Sequence, residues 1–240
     1  MDKKLKVLLL AAGLGTRLKP LTNNIPKCLV RINDKPLLHI WLEKPENLNC
    51  DSILINTHYL PDKVNKAIYE WNGKKSKIYT TFEKNLLGTA GTLIRNLDFF
   101  NDSEGLIIHA DNMTNDNLIG FVNAHKNRPS NTIFTMLTFE TDNPKACGVV
   151  KINEENIVQE FHEKVNNPPS KLANGAIYAF GQDFIDHLKN MDNKLFDISK
   201  DIIPSINGRI FSYKTNANFL DIGTPTNLKK AQKLFNKGLK

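Results

Sequence analysis

The stretch LLLAAGLGTRLKPLTNNIPKCLV, Leu8 to Val30, sets Gly13 and Gly15, then Arg17, Lys19 and Lys27, directly behind a short apolar run. Glycine accepts positive φ and lets backbone approach a ligand closely, so amide N–H groups there can converge on phosphate oxygens. Arg17 offers a flat bidentate fork and Lys27 a point charge, a combination suited to a triphosphate. The loop is not a P-loop, because G-x-x-x-x-G-K-[ST] is absent, and GLGTRL lacks the third glycine of the dinucleotide fingerprint. Two acids stand where apolar segments stop: Asp111 in LIIHADN and Asp221 in NFLDIGTP. Magnesium asks for oxygen ligands, commonly one or two carboxylates completed by phosphate and water. The bland alternative for each acid is a turn or helix cap. His109, just before Asp111 in a buried strand, reads as a satisfied core histidine; His58, His125 and His162 show no ligand spacing, and Trp41 and Trp71 read as packing.

These residues hang on alternating strand-like and helical patterns, the signature of parallel βαβ construction. Strands are expected over Leu5–Ala11, Ser52–Asn56, Ile78–Phe82, Gly105–His109 and Thr132–Phe139, with helices over Pro36–Asn47, Pro61–Trp71, Thr89–Asn96 and Asn117–Lys126. Pro45 should kink the first helix or end it early. After Pro144 the texture changes to a β-hairpin around Asn153–Asn156, a strand over Ala173–Phe180, another over Ile210–Lys214, the DIGTP turn and a lysine-rich helix. Parallel connections put the ligand crevice outside the carboxyl ends of the strands, where the glycine loop, Asp111 and the loop at Glu83 lie.

At 240 residues, with 40% hydrophobic and 24% charged residues, the chain has the makings of one sizeable domain. Three cysteines without C-x-x-C spacing suggest neither a disulfide framework nor a zinc cage, and a reducing cytoplasm fits. The start MDKKLKVLLLAAG resembles a signal peptide, but its apolar run is short and leads straight into Arg17, so it reads as a strand. No segment approaches the ~20 apolar residues that cross a bilayer, and no membrane partner is expected. The net charge of +7 favours anionic partners. Lysine clusters at Lys3, Lys4 and Lys6, at Lys74, Lys75 and Lys77, and at Lys229, Lys230, Lys233 and Lys237 lack interleaved aromatics, so they read as solvated faces and no nucleic-acid partner is expected.

The opening segment, LLGTAGTL at Leu86–Leu93, the Asp111 strand end, FHEKV, LANGAIYAF and FLDIGTP, in this order, resemble the sugar-1-phosphate nucleotidyltransferases. The resemblance implies an α/β fold, a mostly parallel, Rossmann-like three-layer sandwich with an inserted mixed sugar-binding lobe. It implies one domain over 1–240, with 1–112 mainly for nucleotide and 113–240 mainly for sugar phosphate, and no room for a further C-terminal module. By the same resemblance Leu10, Ala11, Ala12, Gly13, Gly15, Thr16, Gly88 and Thr89 hold the nucleotide. Arg17, Lys27 and Lys164 act on the phosphates, Asp111 and Asp221 hold Mg²⁺, and Asn112, Gly148, Glu163 and Asn174 address the sugar phosphate. The departures are Val165 in place of the usual proline, Cys147 where an aromatic often precedes the glycine, and NGAIY for the commoner NAGIY. They bear on the sugar pocket.

The partners so implied are a nucleoside triphosphate and a sugar 1-phosphate, with a homodimer left open. Glu83 offers a lever on the base, because an ionised carboxylate only accepts and guanine presents adjacent N–H donors. GTP is therefore the favoured substrate, against a solvated strand-end glutamate. The alternatives are a cytidylyltransferase for a small phosphorylated compound, a thymidylyl- or uridylyltransferase, a nicotinamide oxidoreductase, and a non-catalytic nucleotide-binding subunit. The sugar and the pathway, capsule or lipopolysaccharide among them, stay open.

Overall fold

A computed structural model describes residues 3–73, 77–191 and 195–235. In chain order the elements begin with β1 (Lys4–Leu10), β2 (Arg31–Ile32), β3 (Lys35–Pro36), α1 (Leu37–Asn47), β4 (Ser52–Thr57) and α2 (Pro61–Tyr69). They continue with β5 (Lys77–Phe82), α3 (Gly88–Arg95), β6 (Ser103–His109), β7 (Asn112–Thr114), α4 (Ile119–Lys126) and β8 (Phe134–Glu140). Then come β9 (Gly148–Ile152), β10 (Val158–Glu163), β11 (Leu172–Phe180), α5 (Gln182–Lys189), the single turn α6 (Ile203–Ser205), β12 (Ile210–Lys214), β13 (Phe219–Asp221) and α7 (Pro225–Leu234). Contacts divide the chain into two compact units: residues 1–6, 87–107 and 119–216, and residues 7–86, 108–118 and 217–240.

In the second of these units β1 lies beside β4 and β4 beside β5. The β4–β5 ladder is parallel, from Ser52 opposite Lys77 to Thr57 opposite Phe82. Every residue of SILINT in β4 is buried, as expected of a parallel strand covered on both faces. Helix α1 contributes the fully buried Leu37, Leu38, Trp41 and Leu42. It runs through Pro45 to Asn47, so of the two outcomes expected at this proline, a kink or an early end, the early end does not occur. Pro45 sits in the last turn, where its ring removes a single intrahelical bond, and its own carbonyl accepts from the Leu48 and Cys50 amides to finish the helix.

In the other unit β8 is the hub. It pairs antiparallel with β11 and parallel with β12, while β11 pairs with β9 and β9 with β10 around the expected Asn153–Asn156 turn. Phe134, Phe180 and Phe184 meet at ring-centroid distances of 4.6 and 5.2 Å. Gly105 lets them pack: a Cβ there would lie 2.2 Å from the Phe180 ring. Helix α5, two turns in QDFIDHLK, escaped the sequence reading because so short a pattern hardly differs from a loop. The α/β class is as expected, with helices interleaved among parallel ladders in one half of the chain and a mixed sheet in the other. Among the described lysines, Lys229, Lys230 and Lys233 lie exposed on α7, as read. Lys74, Lys75 and Lys237 lie outside the described residues. No helix among the described residues is long and apolar enough to cross a membrane.

One buried polar chain ties this unit together. His125 on α4 bonds through Nδ1 to Thr135 Oγ1 at 2.7 Å and through Nε2 to Glu104 Oε2 at 3.1 Å. A neutral ring donating to Glu104 and accepting from Thr135 satisfies both nitrogens. Burial is the largest influence and pulls the His125 pKa below its usual value, assisted by Arg128 and opposed by Glu104 and Asp183. A folded pKa below the unfolded one means the unfolded chain binds the proton more readily. Stability is therefore full above about pH 6.5 and lost as pH falls toward the folded value. We expect unfolding free energy to drop between pH 7 and pH 5, by at most about 1.4 kcal/mol per pH unit from this one group. Urea titrations of wild type and His125→Gln check this, since the variant should show a shallower slope in that window.

Candidate active site

The glycine loop is built from its ends. Val7, Leu8 and Leu9 are wholly buried in β1 and aim the chain at Ala11 and Ala12, which are also buried. Asn56, at the end of β4, accepts the Ala11 amide through Oδ1 at 2.7 Å. The Leu10 carbonyl accepts from the Ala110 amide at 3.1 Å. Gly13 has open space around its Cα. Gly15 must be glycine, since its φ is 64° and a Cβ there would press on Thr22 Cγ2 at 2.9 Å. Thr22 Oγ1 in turn donates to the Gly15 carbonyl at 2.7 Å. Thr16–Leu18 close into a 3₁₀ turn with Leu18 buried as its anchor, leaving Arg17 exposed. A third 3₁₀ turn, Lys27–Leu29, which follows one at Leu21–Asn23, buries the Lys27 stem beside Gly15.

The two acids come together through a short ribbon. Strands β7 and β13 pair antiparallel with Asp221 opposite Asn112, and the Ile222 amide donates to the Asp111 carbonyl at 2.9 Å. Thr224 caps α7 by accepting the Asn227 amide, and the Asn227 side chain holds the Asp221 carbonyl at 2.9 Å. Lys27 Nζ stands 2.6 Å from Asp111 Oδ2 and 3.8 Å from Asp221 Oδ1, with its side chain only 9% exposed. Arg17 Nη2 lies 3.6 Å from Asp221 Oδ2. Gly223 makes room for that approach, because a Cβ there would fall 2.5 Å from Arg17 Nη2. Loss of water around Asp111 would raise its pKa, but the Lys27 ammonium and His109 outweigh this and hold the carboxyl below the usual range. Asp111 is thus ionised at neutral pH, and two carboxylates converge with two cations.

A separate group of predicted residues gathers in the other unit. Gly148 on β9 faces Glu163 on β10, and a Cβ at Gly148 would lie 2.5 Å from Glu163 Oε2. Lys164, at φ 51°, donates its amide to the Cys147 carbonyl and sets Nζ 3.1 Å from Glu163 Oε1. Asn174 sits at a break in the β8–β11 register, where Oδ1 accepts the Ala176 amide and Nδ2 donates to the Tyr178 hydroxyl, both at 2.8 Å. Gly88, at φ 74°, opens α3 against Phe196, whose carbonyl a Cβ would meet at 2.1 Å. Thr89 Oγ1 accepts the Ile198 amide at 2.8 Å.

With this geometry in view, the sequence profile described as nucleotidyl transferase matches residues 6–238. The chain belongs to the nucleotidyl transferase family. The bifunctional protein GlmU of Methanocaldococcus jannaschii is 30% identical over 232 residues, covering 94% of this chain and 53% of that protein. Mannose-1-phosphate guanylyltransferase catalytic subunit beta of Xenopus tropicalis is 28% identical, covering 92% of this chain and 62% of its own length. The chain therefore spans between about half and two-thirds of these curated relatives. The solved structure of HddC from Yersinia pseudotuberculosis complexed with GMP-PN superposes with a TM-score of 0.80 at 25% identity, covering 96% of this chain and 99% of that one. The fold is the mostly parallel α/β fold of the nucleotide-diphospho-sugar transferases.

In this member of the family Arg17, Lys27, Asp111 and Asp221 meet in one unit, and Gly148, Glu163 and Lys164 meet in the other. Glu83 is a different matter. It is 1% exposed, and its Oε1 accepts from Asn56 Nδ2 at 2.9 Å, so it faces a neighbouring side chain and is not presented to an incoming base. Asn112 is likewise 7% exposed, and its carbonyl is taken by Trp41 Nε1 at 2.8 Å. The sequence reading passed over Asn56, although a polar residue at the end of an otherwise apolar strand was the available signal. It also passed over Thr22 and Gly223, which act only through the folded loop.

Three substitutions at two positions probe this framework. Asn56→Ala leaves the buried Glu83 carboxylate and the Ala11 amide each short of a partner, a loss of about 1–3 kcal/mol. Asn56→Asp should destabilise further by setting a second carboxylate against Glu83; equal stability of the two variants in guanidinium titration would contradict the network. Ala176 holds a left-handed φ of 51° at the position where the commoner NAGIY order has glycine. An alanine there costs roughly 1–2 kcal/mol of strain, more than the ~0.4–1 kcal/mol of extra chain entropy a glycine brings. Ala176→Gly should therefore raise the melting temperature.

Proposed function

We propose that this protein transfers a nucleoside monophosphate from a nucleoside triphosphate to a sugar 1-phosphate, releasing pyrophosphate, with guanine as the base. The observation that carries the reading is the meeting of Lys27, Arg17, Asp111 and Asp221 beside a glycine loop that can admit phosphate. The attacking group is an oxygen of the sugar phosphate, already anionic, so no protein nucleophile or general base is required. The difficulty is to bring one anion onto the α-phosphorus of another.

Arg17 and Lys27 offset that repulsion, Arg17 as a fork for the terminal phosphates and Lys27 as a charge on the phosphate under attack and on the departing pyrophosphate. Gly13 and Gly15 give the polyphosphate access to backbone amides. The two acids fit Mg²⁺, being oxygen donors on adjoining strands, with Asp111 held ionised. When bound, the ion supplies charge neutralisation and a template for the phosphate oxygens. Gly148, Glu163 and Lys164 form the polar corner suited to the sugar phosphate, with Lys164 as its cation.

The base rests on likeness alone. HddC complexed with GMP-PN and a mannose-1-phosphate guanylyltransferase support guanine. Other relatives at similar identity are named for adenylyl or uridylyl transfer, which keeps those bases as the second reading. Three free cysteines suit a reducing compartment, and we place the reaction in the cytoplasm.

Pyrophosphate release with GTP, UTP, CTP, dTTP and ATP against a panel of sugar 1-phosphates tests the whole reading, and activity strongest with GTP is the expected result. Removing one transition-state cation from a site of this kind lowers turnover by about 10²–10³. Lys27→Ala should therefore retain the circular dichroism of the wild type and lose activity by that order; turnover close to wild type would remove Lys27 from the reaction.

A further inference from the structure

Lys27 does more than line the phosphate path. Its ammonium contacts Asp111 Oδ2 at 2.6 Å and approaches Asp221 Oδ1 at 3.8 Å, the two carboxylates a divalent cation would share. Arg17 adds a second positive charge 3.6 Å from the far oxygen of Asp221. Asp111 and Asp221 bring two negative charges and Lys27 and Arg17 two positive ones, so this set of four is neutral. The Lys27 side chain is almost fully enclosed, so its charge is little screened by water. A bare divalent ion would enter a site with no net attraction for it and would have to push an enclosed ammonium off its hydrogen bond to Asp111.

The geometry points to Lys27 as a built-in counter-ion that occupies the place of the divalent cation and makes cation binding conditional on the arrival of a polyphosphate. A metal–triphosphate complex changes the balance in two ways. It brings net negative charge to the neutral set, and it offers phosphate oxygens to which Lys27 and Arg17 can transfer their hydrogen bonds as they leave the carboxylates. Cation and polyphosphate should then bind with positive coupling, each raising the affinity of the other by the same factor. Lys27 is, on this account, both a phosphate ligand and the element that holds Asp111 and Asp221 in register before substrate enters. The inference rests on the nucleotidyl-transfer reading for the role given to the polyphosphate, but its first test needs no nucleotide.

Mn²⁺ serves as the probe, followed by the loss of its free-ion electron paramagnetic resonance signal on titration with the full chain. Wild type should bind Mn²⁺ weakly alone. Lys27→Gln, which removes the ammonium and keeps a polar side chain, should bind it about ten-fold tighter or more, and Arg17→Gln should give a smaller gain. Unchanged or weaker Mn²⁺ binding by a folded Lys27→Gln overturns the inference whether or not the protein is an active transferase. Should that variant fail to fold, Arg17→Gln, altered on the exposed side of the site, decides alone: tightening supports the inference and no tightening overturns it. In a second arm, Mn²⁺ and a non-hydrolysable GTP, UTP or ATP analogue are added to wild type separately and together. A joint rise in melting temperature beyond the sum of the separate shifts supports the coupling. If no analogue produces it, the coupling and the nucleotidyl-transfer reading fall together.

Discussion

The site depends on three residue pairs of antiparallel ribbon. Asp111 and Asp221 are 110 positions apart, and nothing in either segment alone brings them near. The pairing of Asn112 with Asp221 and the bond from the Ile222 amide to the Asp111 carbonyl do so with backbone groups, which fix the carbon atoms bearing both carboxylates. Two like charges set together are unfavourable unless something offsets them. Here Lys27, delivered by the 3₁₀ turn after Pro26, supplies the offset from inside the protein and Arg17 from the solvent side.

The glycine loop is held by the same logic of few but well-placed bonds. Its first amide is taken by Asn56, its middle carbonyl by Thr22, and Asn56 is itself held by Glu83. Side chains from β4 and from the following turn do this holding, and the Leu18 amide adds a second bond to the Gly15 carbonyl at 2.9 Å. Gly15 and Gly223 are the two places where a methyl group would press on this arrangement, one against Thr22 and the other against Arg17.

Much of this was legible in the sequence. Strands β1, β4 and β6 announce themselves as apolar runs, and the charged and glycine residues behind β1 state their chemistry by type and spacing. The hairpin of β9 and β10 follows from a polar turn between two β-branched arms. What could not be read was partnership: the ribbon of β7 and β13 joins two three-residue strands too short for any periodicity to declare. Glu83 shows the same limit from the other side. Its chemistry as an acceptor was read correctly, but burial and the amide of Asn56 decide what it accepts from, and those depend on residues 27 positions away. Pro45 is a third case: the helix runs through it for two further residues and closes on its carbonyl, which accepts the Leu48 and Cys50 amides, an outcome that the residue type alone does not announce.

If Asp111 and Asp221 hold one ion on one polyphosphate, as we propose, the losses caused by removing them are not independent. A double-mutant cycle tests this most directly: Asp111→Asn, Asp221→Asn and the pair, each measured for magnesium-dependent binding of the preferred triphosphate. Shared ligation predicts that either single change removes most of the magnesium dependence and that the second adds little, a coupling of about 1 kcal/mol or more. Two independent losses that simply add would contradict the account.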